Sequence, residues 1–245
     1  MDVKIVETSL NLRIERGYNR MDYVLSKAIA ERQLAFEADV YTNVEYMECQ
    51  NEEYLEAFDK AGYQCVSCVD EVRHRGILCA VKKEYDVTVV DSMPESHMMH
   101  LRIAKKDAYI DLITLRILVA GGGFKDFLGR RDQWKSIVEY IDGLEDTSHL
   151  VVTGDFNHGV IADEYPGDRP RSVYNYQMIV EDLKQRKVNL CEIDGMSYSD
   201  YMKIDHIAGG EAVKFITAEY KDVFATEQGI GIPDHKLIVA ELSCN

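Results

Sequence analysis

Apolar residues recur along this chain in two periods, and the period switches often. Alternating or continuous apolar runs predict strands over Lys4–Leu12, Asp39–Val44, Tyr63–Val69, Gly76–Lys82, Asp86–Val90, His100–Ala104 and Tyr109–Leu118. Leu150–Gly154 reads as a buried strand, and short strands fit Asn189–Cys191, Lys203–Ala208, Ala212–Thr217 and His235–Leu242. Helical spacing appears in Asn19–Phe36, through Val24, Leu25, Ala28 and Ile29, and again in Glu52–Ala61 and Asn175–Arg186. Arg130–Leu144 carries Trp134, Ile137, Val138 and Ile141 on one stripe. No helix separates the Asp86–Ala104 strands from Tyr109–Leu118, so antiparallel pairing is expected there. Strands in runs, broken by a few long helices, fit an α/β architecture of two sheets packed face to face with helices outside both. A single doubly wound sheet is the alternative, but the strand count is high for it.

Composition narrows this picture only a little. The 245 residues suit one large α/β domain spanning 1–245, with no repeat or low-complexity tract. No apolar run approaches the roughly 18–20 residues needed to span a bilayer. Met1-Asp2-Val3-Lys4-Ile5 lacks a basic segment followed by an apolar core, so a cytoplasmic protein with no membrane partner is expected. No obligate protein partner is evident. The six cysteines include one close pair, Cys65 and Cys68, without a second pair suited to zinc, which predicts buried, reduced thiols. The net charge of −15 argues against a protein that clamps long duplexes nonspecifically. It leaves room for a nuclease whose basic residues are local and whose metal ions offset its own carboxylates.

The chemistry concentrates at strand ends. Val151-Val152-Thr153 runs into Gly154-Asp155-Phe156-Asn157, and residues two apart on an extended chain share a side. Asp155 and Asn157 can therefore present two oxygen-bearing groups together. Asn11, Glu45 and Arg116 stand at or near the ends of other apolar runs, Asp205 lies within Lys203–Ile207, and Asp234-His235 opens the last strand. Taken singly, each has a bland reading as a solvated carboxylate, a turn residue or a surface ion-pair partner. His206 should face away from Asp205 and read as structural, while His158 is a candidate for lining a cleft. Lys125, Arg130, Arg169, Arg171 and the Arg73-His74-Arg75 knot are candidate substrate contacts, with a solvated surface as the default for each.

In this order, those residues make the chain resemble the endonuclease/exonuclease/phosphatase superfamily, the DNase-I-like hydrolases. The motifs are Ser9-Leu10-Asn11, the run Ala38–Val44 closed by Glu45, Gly-Asp-Phe-Asn at 154–157, Ile-Asp-His-Ile at 204–207 and Asp-His at 234–235. A helix holding Arg131-Asp132-Gln133 ahead of the Gly-Asp-Phe-Asn strand is similar too. The resemblance implies a four-layer α/β/β/α sandwich with two mixed, mostly antiparallel sheets and outer helices. It also implies a divalent-metal-dependent phosphodiesterase or phosphomonoesterase. It casts Glu45 as the principal metal carboxylate, with Asn11 and Asp234 as companions, and such oxygen ligands suit Mg²⁺ or Mn²⁺. Asp155 is cast as the group that orients or deprotonates water, and Asn157 as a donor to the phosphoryl oxygen. His235 is cast as the phosphate-contacting histidine, oriented by Asp205. The family often carries a histidine on the central strand, where this chain has Arg116. Arginine cannot shuttle a proton, but it can hold a phosphate through two nitrogens. A one-histidine, metal-led mechanism is thus favoured. Three functions remain open: a nuclease with nucleic acid as substrate, which the compact length favours; a hydrolase of small phosphate esters such as a phosphoinositide, headgroup or nucleotide; and a non-catalytic binding module, which the presence of Glu45, Asp155, Asn157, Asp205 and His235 argues against.

Overall fold

The computed structural model of the protein describes residues 1–10, 19–48, 51–72, 75–93, 97–121, 123–161, 173–198, 200, 202–224 and 233–245. Asn11, Arg169, Arg171, Arg73 and His74 lie outside them. Two six-stranded sheets form the centre. In the first, the order is β11 (Val213–Lys221), β12 (Leu237–Cys244), β1 (Asp2–Ser9), β2 (Val40–Met47), β4 (Arg75–Lys82) and β3 (Tyr63–Val69). In the second it is β5 (Asp86–Met93), β6 (Met98–Lys105), β7 (Ala108–Arg116), β8 (Leu150–Ile161), β10 (Met202–Gly209) and β9 (Asn189–Leu190). The doubly wound single sheet is thereby excluded.

Strand alternation explains the layering. Val3 and Ile5 of β1 join an apolar core between the sheets with Val40 and Val44 of β2, Val151 of β8 and Ile207 of β10. Val6 of β1 points the other way, into a second core with Ile29 and Ala30 of α1 (Asn19–Leu34) and Phe58 of α2 (Glu52–Lys60). Val152 and Phe156 of β8 likewise meet Trp134 and Ile137 of α3 (Phe124–Asp142) and Leu183 of α4 (Tyr176–Gln185) in a third core. The central strands are therefore covered on both faces, which gives the α/β/β/α sandwich.

Each sheet is mostly antiparallel with one parallel pair at its middle. β1 pairs with β2 through the α1 crossover, and β7 pairs with β8 through α3. β5, β6 and β7 form the expected antiparallel meander. The parallel pairs end in register at Ser9 opposite Val44 and at Arg116 opposite Asp155.

Two boundaries differ most from the sequence reading. α3 begins at Phe124 rather than Arg130, because Gly123 caps it in extended conformation and Asp126 pairs with Arg130 one turn on. β8 runs on to Ile161 rather than stopping at Gly154, because antiparallel β10 continues beside it from Val151 to Ile161. Cys65 is exposed on edge strand β3, against the expectation of burial, while Cys68, Cys79 and Cys244 are buried. Among the described residues, no helix is long and apolar enough to cross a membrane.

Candidate active site

The polar residues gather where the two parallel pairs end. Gly154 holds φ at +137°, and a Cβ there would meet the Leu115 carbonyl oxygen at 1.9 Å. Only glycine lets β8 pass β7 this closely. Asp155 follows, facing the other sheet. Asn157 adopts φ +48° and turns its side chain back onto Asp155: its backbone N–H donates to Oδ1 at 2.8 Å and its amide Nδ2 to Oδ2 at 2.6 Å. The same Nδ2 donates to the Ile117 carbonyl at 2.7 Å. Both amide hydrogens of Asn157 are thus engaged within the protein, so here it fixes Asp155 rather than presenting a donor outward.

Asp205 faces Asp155 across the β8–β10 register and is fully buried. His235 Nδ1 lies 2.8 and 3.0 Å from its two carboxylate oxygens. Ser197, a fully buried residue the sequence reading missed, holds this region together. Its Oγ accepts from the backbone N–H of Ile204 and Asp205, and its carbonyl accepts from Lys236 N–H. Nothing in a loop serine announces such a role. Tyr198 packs its ring against His235 with centroids 4.8 Å apart. Ligand atoms of Asp155, Asp205 and His235 lie within 4.8 Å of one another.

Arg116 and Glu45 complete the mouth. Glu45 sits at φ +54° on an irregularity where β2 breaks register with β4. The left-handed conformation is uncommon for a glutamate and goes here with the break in the β2–β4 ladder. Arg116 Nη2 pairs with Glu45 Oε1, and Arg116 Nε lies 3.8 Å from Asp155 Oδ2. Asp234 Oδ1 stands 4.0 Å from His235 Nε2.

The electrostatics follow from burial and charge. Asp155 is pushed up to about 7, first by burial and then by Asp205, with His235 and Arg116 opposing. Burial would lower His235, but the Asp205 charge and hydrogen bond raise it to about 10, so it is an imidazolium at neutral pH. An acid near 7 beside a fixed cation is suited to accept a proton from water and to neutralise an oxyanion.

Other candidates are placed elsewhere. His158 is buried against the Phe127 and Tyr174 rings, on the helix side of β8, because it falls one residue out of phase with Asp155 and Asn157. It does not line the cleft. His206 also faces away, its Nε2 3.0 Å from the His158 carbonyl, and burial lowers it to about 4. Arg130 is buried rather than a substrate contact: it pairs with Asp126 and donates to the Asn157 carbonyl at 2.9 Å, bracing the motif from behind. Gln133 braces the adjoining loop by accepting from Leu118 N–H at 2.8 Å.

Carboxylates are the donors a hard divalent ion takes, and among the described residues those of Asp155 and Asp205, with His235, bring ligand atoms within 4.8 Å of one another. Glu45, Asp155 and Asp234 offer carboxylate oxygens. The Glu7 carboxylate, fully buried on β1, has both oxygens without a hydrogen-bond partner among the described residues.

Solved structures match the chain over its whole length. An endonuclease/exonuclease/phosphatase from Bacteroides vulgatus superposes with a TM-score of 0.69 at 16% identity, covering 100% of both chains. D. rerio TDP2 complexed with single strand DNA product gives 0.67 at 11% identity, covering 99% of each chain. The endonuclease domain of TRAS1, a telomere-specific non-LTR retrotransposon, gives 0.63 at 13% identity, covering 100% of this chain and 99% of that one. The chain has the fold of the endonuclease/exonuclease/phosphatase proteins. No protein-family model matches it, and no curated protein matches it in sequence.

Proposed function

We propose that the protein is a divalent-metal-dependent phosphodiesterase that hydrolyses nucleic acid. The observation that carries this reading is the convergence of Asp155 and the Asp205–His235 pair within 4.8 Å, at the mouth where Arg116 also lies. The fold it shares with a TDP2 bound to a DNA product and with a retrotransposon endonuclease supports a nucleic-acid substrate. The net charge of −15 favours a strand end or a single strand over a clamped duplex.

Asp155, held by two bonds from Asn157, accepts the proton of an attacking water. His235, held by Asp205 through Nδ1, turns Nε2 to the phosphate and offers its proton to the leaving oxygen. Arg116 sets its guanidinium against the equatorial oxygens, in place of a second histidine. A Mg²⁺ or Mn²⁺ ion on Glu45, with Asp234 and Asn11 as further candidate ligands, would supply positive charge against the same oxygens. Glu45 also pairs with Arg116, so a Glu45 engaged by the ion would leave the Arg116 guanidinium free for substrate.

The test uses supercoiled plasmid, single-stranded DNA and RNA with Mg²⁺ or Mn²⁺, an EDTA control and Asp155→Ala. Cleavage should need the ion and fall by at least about 10² in the variant. Cleavage that persists in EDTA, or is undiminished in Asp155→Ala, would refute the mechanism. Phosphate release from small esters without cleavage of any nucleic acid would move the substrate to that class.

A further inference from the structure

Glu7 is out of place in a well-packed strand. It lies two residues before the end of β1, fully buried, with no hydrogen-bond partner on either carboxylate oxygen among the described residues. Val3 and Ile5 point into the space between the sheets, so Glu7 and Ser9, continuing that alternation, point there as well. Thr42 is the registered neighbour of Glu7 on β2, and it lies between Val40 and Val44, which face the same space. Ser9 and Thr42 are also fully buried, and neither hydroxyl has a hydrogen-bond partner among the described residues. Orphaned oxygens of three side chains on two adjacent strands therefore share one face. Opposite them, Val151 and Ile207 face inward from the second sheet, and by the same alternation so do Asp155 and Asp205.

Leaving these groups bare is costly. An unpartnered buried hydroxyl costs about 1–3 kcal/mol, and an ionised carboxylate more. The charges sharpen the point. Asp155, Asp205 and Glu7 lie near one imidazolium, His235, and Arg116 is divided between Glu45 and Asp155. Burial raises Glu7 well above the ordinary carboxylate range, and Asp205 and Asp155 push the same way. A proton would remove the charge, but would leave the hydroxyl oxygens and the new O–H without partners. A hard cation satisfies all of them at once.

We propose that Glu7, Ser9 and Thr42 form a second, buried cation site behind the Asp155–Asp205–His235 cluster. It takes a small divalent ion, Mg²⁺ or Mn²⁺, on one carboxylate and two hydroxyls, with water completing the shell. It is separate from the ion expected at Glu45, and it does not depend on what the protein hydrolyses.

The experiment is Mn²⁺ binding to chelator-treated full chain at pH 7.5, followed by isothermal calorimetry and by the electron-spin signal of free Mn²⁺. Wild type should bind one ion more per chain than Glu7→Gln, and Glu45→Gln should lose a different ion. The double variant Ser9→Ala/Thr42→Val keeps the carboxylate and should bind the inner ion at least about tenfold more weakly. It also covers the case in which Glu7→Gln fails to fold. A parallel readout is melting temperature, where the rise produced by Mn²⁺ should be smaller in both inner-site variants than in wild type. Unchanged Mn²⁺ stoichiometry and affinity in the foldable inner-site variants would overturn the proposal. That result would leave the cleavage assay and its Asp155→Ala control untouched, so the two readings fail separately.

Discussion

Replacing Asp205 with Asn tests the electrostatic core of the site. The His235 side chain is only 9% exposed, and burial alone would push its imidazole below the ordinary 6.5; the Asp205 anion and its bonds at 2.8 and 3.0 Å raise it to about 10. Each pKa unit corresponds to about 1.4 kcal/mol, so holding the imidazolium is worth roughly 5 kcal/mol, most of it from Asp205. In Asp205→Asn, burial remains and the principal anion is gone, so His235 should titrate at or below 6.5 and be neutral at pH 7.5. The assay is NMR titration of the His235 Cε1–H in metal-free protein. The same variant should lose about 10²–10⁴ in kcat/KM if His235 supplies the acid. Stability adds a check. The raised folded pKa gives stability that is fully present below 6.5 and lost as pH rises through about 10. The advantage of wild type over Asp205→Asn, measured by urea unfolding, should therefore shrink across that window. A His235 in the variant that remains protonated above pH 8 would refute the reasoning.

Three further outcomes follow from the same geometry. With Asp155 pushed up to about 7 and His235 to about 10, kcat/KM should rise with pH through the first value and fall through the second; a profile that stays flat from pH 5 to 8 would contradict Asp155 as the base. Arg116→Gln frees Glu45, so Mn²⁺ affinity at that carboxylate should rise by about tenfold, or 1.4 kcal/mol, while cleavage falls by about 10²; calorimetry showing unchanged or weaker binding would contradict the competition. Gly154→Ala would drive a Cβ into the Leu115 carbonyl at a φ of +137°, and should cost about 3 kcal/mol by chemical denaturation; a loss under about 1 kcal/mol would mean the strands can separate there freely.

Strand and helix order was legible because period alone separates the two. The boundaries that moved did so where polar residues are buried. Asp126 and Arg130 pair inside the first turns of α3, so that stretch lacks an apolar stripe in the sequence. β8 carries Asp155, Asn157 and His158 through what looks like a loop, since antiparallel β10 continues beside it. Within the site, Asp155 and Asn157 could be paired from their spacing, whereas the pairing of Asp205 with His235 was implied only by the resemblance to the family. Glu7 could not be found this way. In Val3-Lys4-Ile5-Val6-Glu7-Thr8-Ser9 a glutamate reads as a solvent-facing position, because period-2 reasoning assumes one face is wet.

That assumption fails in a sandwich covered on both sides, and the failure explains where the chemistry sits. Central strands with two dry faces leave polar residues little choice but their ends. Each sheet has one parallel pair, β1–β2 and β7–β8, and a parallel pair sends both strand ends to the same edge. Packing the sheets brings those edges together, so Glu45 of one meets Arg116 of the other. Low dielectric then does the rest: burial raises Asp155 into the neutral range and makes Asp205 an effective holder of the His235 charge. Glu7 lies one step deeper on the same face. A glutamate lodged there, without a hydrogen-bond partner among the described residues, is the group on which the proposed inner ion site rests.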